Sequence, residues 1–248
     1  MANWTDPRTA ARTASSGVPR TGDIRSAPLD AGLRSYMLGI YNYMTSGVLL
    51  TGIVALLFAN SGMAEQIMVG GGPLKWLIVL SPLAIVIAMS FGQNRFSTST
   101  LKLMFFGFAG LMGLSMSTLL LVFTGTSVAQ AFFATAAAFA GLSFYGYVTK
   151  KDLSGLGTFL IMGVIGLLVA MVINIFLASS TMNLVISAAG VLIFAGLTAY
   201  DTQKLKVMYA HVAGTEMMGK VMILGALNLY LDFINMFQFL LMFVGNRN

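Results

Sequence analysis

Two aspartates, Asp201 and Asp232, are the residues of this chain best suited to carry chemistry. Each lies in, or at the end of, an apolar run long enough to cross a bilayer, whereas the other six of the eight acidic residues fall in a tail and in loops. A carboxylate in hydrocarbon is costly unless it faces a bundle interior, finds a partner or gives up its charge. Such residues are usually functional, so we expect Asp201 and Asp232 to form a site.

The last apolar run carries a polar face. At 100 degrees per residue, Asn228, Asp232 and Asn235 fall within an arc of about 60 degrees on a helix. The rest of that helix is hydrophobic, so the polar face should point into a bundle and, if a pathway exists, line it. The competing interpretation is a seam of interhelical hydrogen bonds, which polar side chains often form in membranes.

Other chemistries have little support. The chain has no cysteine and one histidine, His211, in the predicted sixth loop, so disulfides, thiol nucleophiles and histidine clusters for metals are excluded. Tyr200-Asp201 resembles the first motif of intramembrane aspartyl proteases. Their second motif, Gly-x-Gly-Asp, is missing, because Leu229-Tyr230-Leu231 precedes Asp232. We therefore expect a protein that is not an enzyme and has no resident cofactor.

The composition indicates an all-α membrane protein. Hydrophobic residues make up 57% and charged residues 9% of 248 residues, whereas soluble domains average roughly 25% charged residues. Alternating strands typical of an outer-membrane barrel are absent from the sequence, so the backbone must satisfy its hydrogen bonds as helices. Seven runs have the length of a membrane helix: Tyr36–Ala59, Leu74–Phe91, Leu103–Phe123, Thr126–Val148, Leu153–Ala178, Met182–Asp201 and Val221–Val244.

Lysine and arginine predict the orientation, because short loops rich in them stay cytoplasmic. Twelve of the fourteen lie on one side: Arg8, Arg12, Arg20, Arg25, Arg34, Arg95, Lys102, Lys150, Lys151, Lys204, Lys206 and Lys220. Only Lys75 and Arg247 lie on the other. The N-terminus should therefore be cytoplasmic and the C-terminus external, and the net charge of +6 reflects topology rather than nucleic-acid binding.

The chain divides into a tail and one domain. Residues 1–33 are polar and contain three prolines, so we expect a disordered cytoplasmic tail. Residues 34–248 should form a seven-helix transmembrane domain. Within it, two pairs of small residues have the four-residue spacing that lets membrane helices approach closely: Ala109 with Gly113, and Ala137 with Gly141.

The depths of the two aspartates are not settled by counting. Asp232 is twelve residues beyond Lys220, or roughly 18 Å of helical rise, whereas Asp201 is three residues from Lys204. The two could meet if helix six continues past Lys206 with its lysines reaching outward, or if helix seven begins below the membrane surface.

Two segments carry a resemblance to a known family. Ala199-Tyr-Asp-Thr-Gln-Lys204 and Ala226-Leu-Asn-Leu-Tyr-Leu-Asp-Phe-Ile-Asn235 resemble the last two helices of the Bax inhibitor family, the transmembrane Bax inhibitor motif proteins. The seven-helix layout is similar over roughly residues 34 to 245, and the lack of a lysine-rich C-terminal tail resembles bacterial members, which implies the inner (plasma) membrane.

The resemblance implies a central seventh helix surrounded by the other six, and a pair of aspartates that sense pH and gate a calcium leak. By position this pair would be Asp201 and Asp232, which would also be the transient calcium ligands. In bacterial members an arginine at the cytoplasmic end of helix two pairs with the first aspartate, and Arg95 occupies that place. The alternative interpretation is that Arg95 is an ordinary positive charge that only sets topology.

Two departures from the family pattern affect this expectation. The loop from Val207 to Gly219 is long for a bacterial member, and Asn228 stands where some members have a further acidic residue. Fewer carboxylates imply weaker calcium binding.

The expected function is therefore a pH-sensitive calcium leak channel, with calcium ions and membrane lipid as its partners. The alternative is a protein that transports nothing and that binds and modulates another membrane protein, such as a membrane-anchored protease.

The charge distribution predicts the side on which each terminus lies. A reporter fused after Asn248 should be external, and one fused before Arg34 should be cytoplasmic, because twelve of the fourteen basic residues lie on the N-terminal side. Protease protection or reporter activity in whole cells measures both. A cytoplasmic C-terminal reporter would mean that one of the seven spans is wrong.

Overall fold

The structure, a computed structural model, describes residues 21–93 and 95–247. Its described part is helical and contains no named strand. The seven long helices are α1 (Thr21–Asn60), α2 (Pro73–Gly92), α3 (Thr98–Val122), α4 (Gly125–Val148), α5 (Ser154–Leu177), α6 (Ser180–Val212) and α7 (Met217–Val244). A short π-helical segment, Glu65–Val69, lies between α1 and α2.

All seven helices are long and apolar enough to cross a membrane, which confirms the seven predicted runs and the all-α membrane fold. Local sequence signals set several boundaries. Ser97, Thr124 and Ser179 each accept a hydrogen bond from the backbone N–H three residues later and so cap α3, α4 and α6. Pro73 begins α2, where its missing N–H costs nothing.

The chain divides into two units, with the boundary between Ser35 and Tyr36. The predicted disordered tail falls largely on residues 1–20, outside the described residues. From Thr21 onward the backbone is helical, which differs from the expectation for residues 21–33. Extending an existing helix fixes one residue for each hydrogen bond gained, so a polar segment can be helical without a core of its own.

Helix α6 is longer than predicted. It continues eleven residues beyond Asp201 to Val212, and only a short turn separates it from α7. His211 therefore lies in the last turn of α6, where it is exposed, rather than in a loop. Most of the segment that looked like a long sixth loop is helix.

Helix α7 is the most buried of the seven. Of its most apolar stretch, 56% is buried, whereas the corresponding share is 11% to 39% in the others. Tyr230 packs against Phe105 and Phe108 of α3, with ring centroids 6.0 and 5.2 Å away. Phe233 packs between Phe132 and Phe139 of α4, each 5.6 Å away. Helix α2 packs mainly on α3, and α5 packs mainly on α6.

Glycines allow the close contacts between helices, and the four-residue spacing of small residues predicted only some of these glycines. A Cβ on Gly113 would meet the Thr51 carbonyl and Val54 of α1, as the pair Ala109 and Gly113 predicts. By contrast, Gly141 faces open space, and the close approach of α4 is made by Gly146, against the backbone of Ala199 in α6. A four-residue spacing does not reveal which face of a helix meets a neighbour.

This difference gives a stability test. Gly146→Ala should destabilise the protein by about 1 to 3 kcal/mol, because the new methyl group meets backbone that cannot move aside without shifting α6. The matched control Gly141→Ala should leave stability unchanged or raise it by up to about 1 kcal/mol through helix propensity. Thermal unfolding of the purified variants in detergent measures both. Equal unfolding midpoints for the two would contradict the α4–α6 packing.

Candidate functional site

Helices α6 and α7 run antiparallel, and glycines set their register. Gly225 of α7 lies against the side chain of Leu205, and Gly190 of α6 is covered by the ring of Phe239. Following both contacts along the helices places Asp201 level with positions 228–229 of α7. Asp232 is then three to four residues away along the axis, or about 4.5 to 6 Å. The separation suggested by counting from the lysines is therefore largely removed.

The extra length of α6 explains why the two aspartates lie at similar depths. Lys204 and Lys206 do not mark the end of the helix but lie on it. The Lys206 ammonium donates to the Tyr147 carbonyl at 2.7 Å and lies 5.2 Å from the centroid of the Tyr147 ring. The Lys204 ammonium lies 5.8 Å from the centroid of the Tyr200 ring. Helix six therefore continues past Lys206, as the first of the two predicted routes requires.

The segment around Asp201 is fixed to α4 and α5 by its neighbours. Thr202 donates to the Ser143 hydroxyl at 3.5 Å. The Gln203 amide accepts from the Leu153 N–H at 2.9 Å and donates to the Lys151 carbonyl at 2.7 Å. These contacts hold α6 to the α4–α5 connection while Asp201 itself remains only partly buried.

Asp152, between the two residues that Gln203 holds, is an ordinary surface carboxylate. Hydrogen bonds from the side chain and the backbone N–H of Ser154 hold the pKa of Asp152 below its usual range. This carboxylate is exposed and lies outside the membrane spans. It therefore serves as a comparison for the two aspartates within α6 and α7.

Asp232 is enclosed by the bundle. Its side chain is 4% exposed, and its Oδ2 atom is buried without a hydrogen-bond partner. An ionised carboxylate in such a place is strongly disfavoured, so this oxygen requires a proton, a cation or a water molecule. No hydrogen bond joins the Asp201 and Asp232 side chains within the described residues. The α6–α7 register places these two predicted site residues about one helical turn apart along the axis, and their action as a pair stays a prediction.

Arg95 is not joined to this pair. Its side chain is exposed, and in the portion of the chain that is described it makes no ion pair with Asp201. Lys204 lies three residues after Asp201 on the same helix, about one turn away. The predicted latch is therefore not formed in this conformation.

The two asparagines of α7 differ from one another. Asn228 is exposed, whereas Asn235 is partly buried and donates to the Leu231 carbonyl of its own helix at 2.8 Å. Neither amide hydrogen-bonds to another helix among residues 31–93 and 95–247, so the seam of interhelical bonds is not observed there. Asn228 is level with Asp201 along the α6–α7 pair.

A preformed metal centre is not present in the described residues, where no three His, Asp or Glu side chains cluster. Asp201 and Asp232 alone supply fewer oxygens than the six to eight that calcium prefers. Any calcium held there would take most of its ligands from water.

Sequence reasoning missed a polar contact beside Asp232. The Thr51 hydroxyl donates to the Ala109 carbonyl at 2.8 Å and lies 2.6 Å from the Tyr230 hydroxyl. Because Thr51 has one proton and the carbonyl can only accept, Tyr230 must donate to Thr51. This network joins α1, α3 and α7 two residues before Asp232. The sequence signal for this contact is Tyr230 itself, because a tyrosine buried in an apolar run usually needs a hydrogen-bond partner for its hydroxyl.

A family model described as "Inhibitor of apoptosis-promoting Bax1" matches residues 33–248. The chain belongs to the Bax inhibitor family. Three relatives have similar lengths. The chain is 41% identical over 219 residues to the inner membrane protein YbhL of Escherichia coli, which covers 88% of this chain and 94% of YbhL.

The other two relatives are described only as uncharacterised proteins. One, from Rickettsia prowazekii, is 42% identical over 224 residues, covering 90% of this chain and 94% of the relative. The other, from Caulobacter vibrioides, is 42% identical over 228 residues, covering 88% and 91%. The resemblance inferred from the two last helices is therefore confirmed across nearly the whole transmembrane domain, and this Bax inhibitor family member is an integral membrane protein.

Proposed function

We propose that this protein is a pH-sensitive calcium leak channel gated by Asp201 and Asp232. The observation that carries the proposal is the placement of these carboxylates on two adjoining helices, about one turn apart along the axis, with one of them enclosed and carrying an unpartnered oxygen. Membership of the Bax inhibitor family and the name of the Escherichia coli relative support a location in a bacterial inner membrane. The basic residues favour a cytoplasmic N-terminus and an external C-terminus.

The gate works through a shared proton. Two carboxylates that lie close together cannot both ionise freely, so they titrate as a coupled pair. With one proton bound, the pair carries a single charge and α6 and α7 remain packed. When the proton is lost, two like charges repel across the α6–α7 contact, and the enclosed Asp232 becomes accessible to water and cations.

Calcium passes through this site without being held. Asp201 and Asp232 attract the ion, and water completes its coordination, because calcium prefers six to eight oxygens. Asn228 and Asn235 add amide oxygens along the same helix. Weak binding favours permeation, since an ion that is held tightly does not leave. The proposal includes no enzymatic step and no resident cofactor.

The first test is the pH dependence of calcium flux. In vesicles containing a calcium dye, flux through the parent protein should rise with pH as the shared proton is lost, by at most about tenfold per pH unit for one proton. Asp201→Asn keeps the shape of the side chain and removes its titration, so its flux should be nearly independent of pH.

The matched control is Asp152→Asn, which removes an exposed carboxylate outside the membrane spans and should keep the parental profile. If Asp201→Asn also kept the parental profile, Asp201 would not belong to the gate. If the parent protein gave no flux at any pH, the alternative would gain: a membrane protein that modulates a partner, such as a membrane-anchored protease.

The second test asks which cation acts on Asp201. Lys204 lies about one turn from Asp201 on α6, whereas Arg95 is exposed and makes no ion pair with Asp201. In double-mutant cycles, Lys204→Ala combined with Asp201→Asn should therefore be non-additive in opening free energy by about 0.5 to 3 kcal/mol. Arg95→Ala with Asp201→Asn should be additive within about 0.5 kcal/mol.

Basal leak rates of the single and double variants at one pH provide the opening free energies. Strong coupling of Arg95 to Asp201, with Lys204 uncoupled, would favour instead the arginine latch inferred from the sequence.

A further inference from the structure

An apolar groove lies on the side of the bundle away from Asp201. Its volume is about 370 Å³, and it is open along one side. Its walls are residues 48–56 of α1, 116–120 of α3, 125–133 of α4 and 233–237 of α7. Thr51 is the one polar side chain among the lining residues, and its hydroxyl is already used by Ala109 and Tyr230. The groove therefore offers an occupant almost only hydrocarbon.

Two glycines keep the groove open. A Cβ built on Gly52 or on Gly125 would meet no atom within 4 Å, and both residues line the groove. Glycine within a helix is less favourable than alanine by roughly 0.5 to 1 kcal/mol. At Gly52, in the middle of α1, no neighbouring helix comes close enough to exclude a larger side chain. The space it leaves belongs to the groove.

The groove has the apolar lining that one flexible hydrocarbon chain requires. A single acyl chain is narrow enough to enter the groove from the surrounding bilayer, because the groove is open on one side.

A cation is fixed beside one end of the groove. Backbone contacts tie the C-terminal segment to the α3–α4 turn: the Thr124 N–H donates to the Asn246 carbonyl at 3.0 Å, and the Asn246 N–H donates to the Ser127 hydroxyl at 2.9 Å. Arg247 pairs with Phe123, and its guanidinium lies 5.9 Å from the centroid of that ring. Gly125 and Val128, on either side of Ser127 in α4, line the groove.

We propose that this groove binds one acyl chain of an anionic phospholipid, with the lipid phosphate at Arg247. The groove supplies the apolar contact, and the guanidinium supplies a partner of opposite charge at the level of the helix ends, where a headgroup would lie. Phe233 and Ile234, which line the groove, directly follow Asp232, so a bound chain contacts the helix turn that carries the buried carboxylate. Lipid binding itself does not depend on the proposed calcium leak.

The test is lipid binding to delipidated protein, measured by native mass spectrometry with phosphatidylglycerol and phosphatidylcholine of the same chain length. The parent protein should bind phosphatidylglycerol more tightly than phosphatidylcholine. Gly52→Leu places a side chain in the groove and should weaken binding of both lipids by about tenfold or more. Arg247→Gln should weaken the binding of phosphatidylglycerol more than that of phosphatidylcholine, whose phosphate is offset by its own choline cation, and so should remove the preference for phosphatidylglycerol.

The matched control is Gly166→Leu. Gly166 is also an exposed helical glycine with open space at its Cβ position, but it lies on α5 and does not line the groove. This variant should bind both lipids as the parent does. If Gly52→Leu failed to fold, Ala129→Leu on the opposite wall makes the same test.

Three results would overturn the proposal. The first is lipid binding that Gly52→Leu and Ala129→Leu leave unchanged. The second is an equal loss in Gly166→Leu, which would indicate a non-specific effect of the larger side chain. The third is a change of oligomeric state in Gly52→Leu without loss of lipid, which would assign the groove to a second copy of the chain.

Discussion

The close packing of α6 on α7 is the contact on which the site depends. Gly225 against Leu205 and Gly190 under the Phe239 ring fix the relative depth of the two helices. With that register, Asp201 and Asp232 lie within about one helical turn of each other along the axis. A shift of one turn would place one carboxylate against unrelated apolar side chains. The two aspartates lie at similar depths because small residues allow these helices to approach.

The remaining helices support that contact from outside. Tyr230 and Phe233 anchor α7 to α3 and α4 through their rings, and Gln203 holds α6 to the α4–α5 connection. Both helices of the pair are thus held at points next to their aspartates.

Much of the fold could be predicted from sequence, because apolar runs of membrane length have few alternative structures. Asp201 and Asp232 could be found for the same reason, since charge is rare in such runs. The depth of Asp201 could not be predicted, because Lys204 and Lys206 resemble loop residues in the sequence. Only the structure shows that they lie on a helix and contact Tyr200 and Tyr147, respectively. The roles of Gly141 and Gly146 could not be separated either, because spacing alone does not identify the face turned to a neighbour.

The direction of one hydrogen bond has a consequence for how α7 is tied to its neighbours. Because Thr51 gives its proton to the Ala109 carbonyl, the Tyr230 hydroxyl is committed as a donor to Thr51. This chain of donors ends at a backbone carbonyl, so the proton of each hydroxyl in it is already used. Loss of the Tyr230 hydroxyl would leave the buried Thr51 oxygen without its donor, and three helices would lose a shared polar contact.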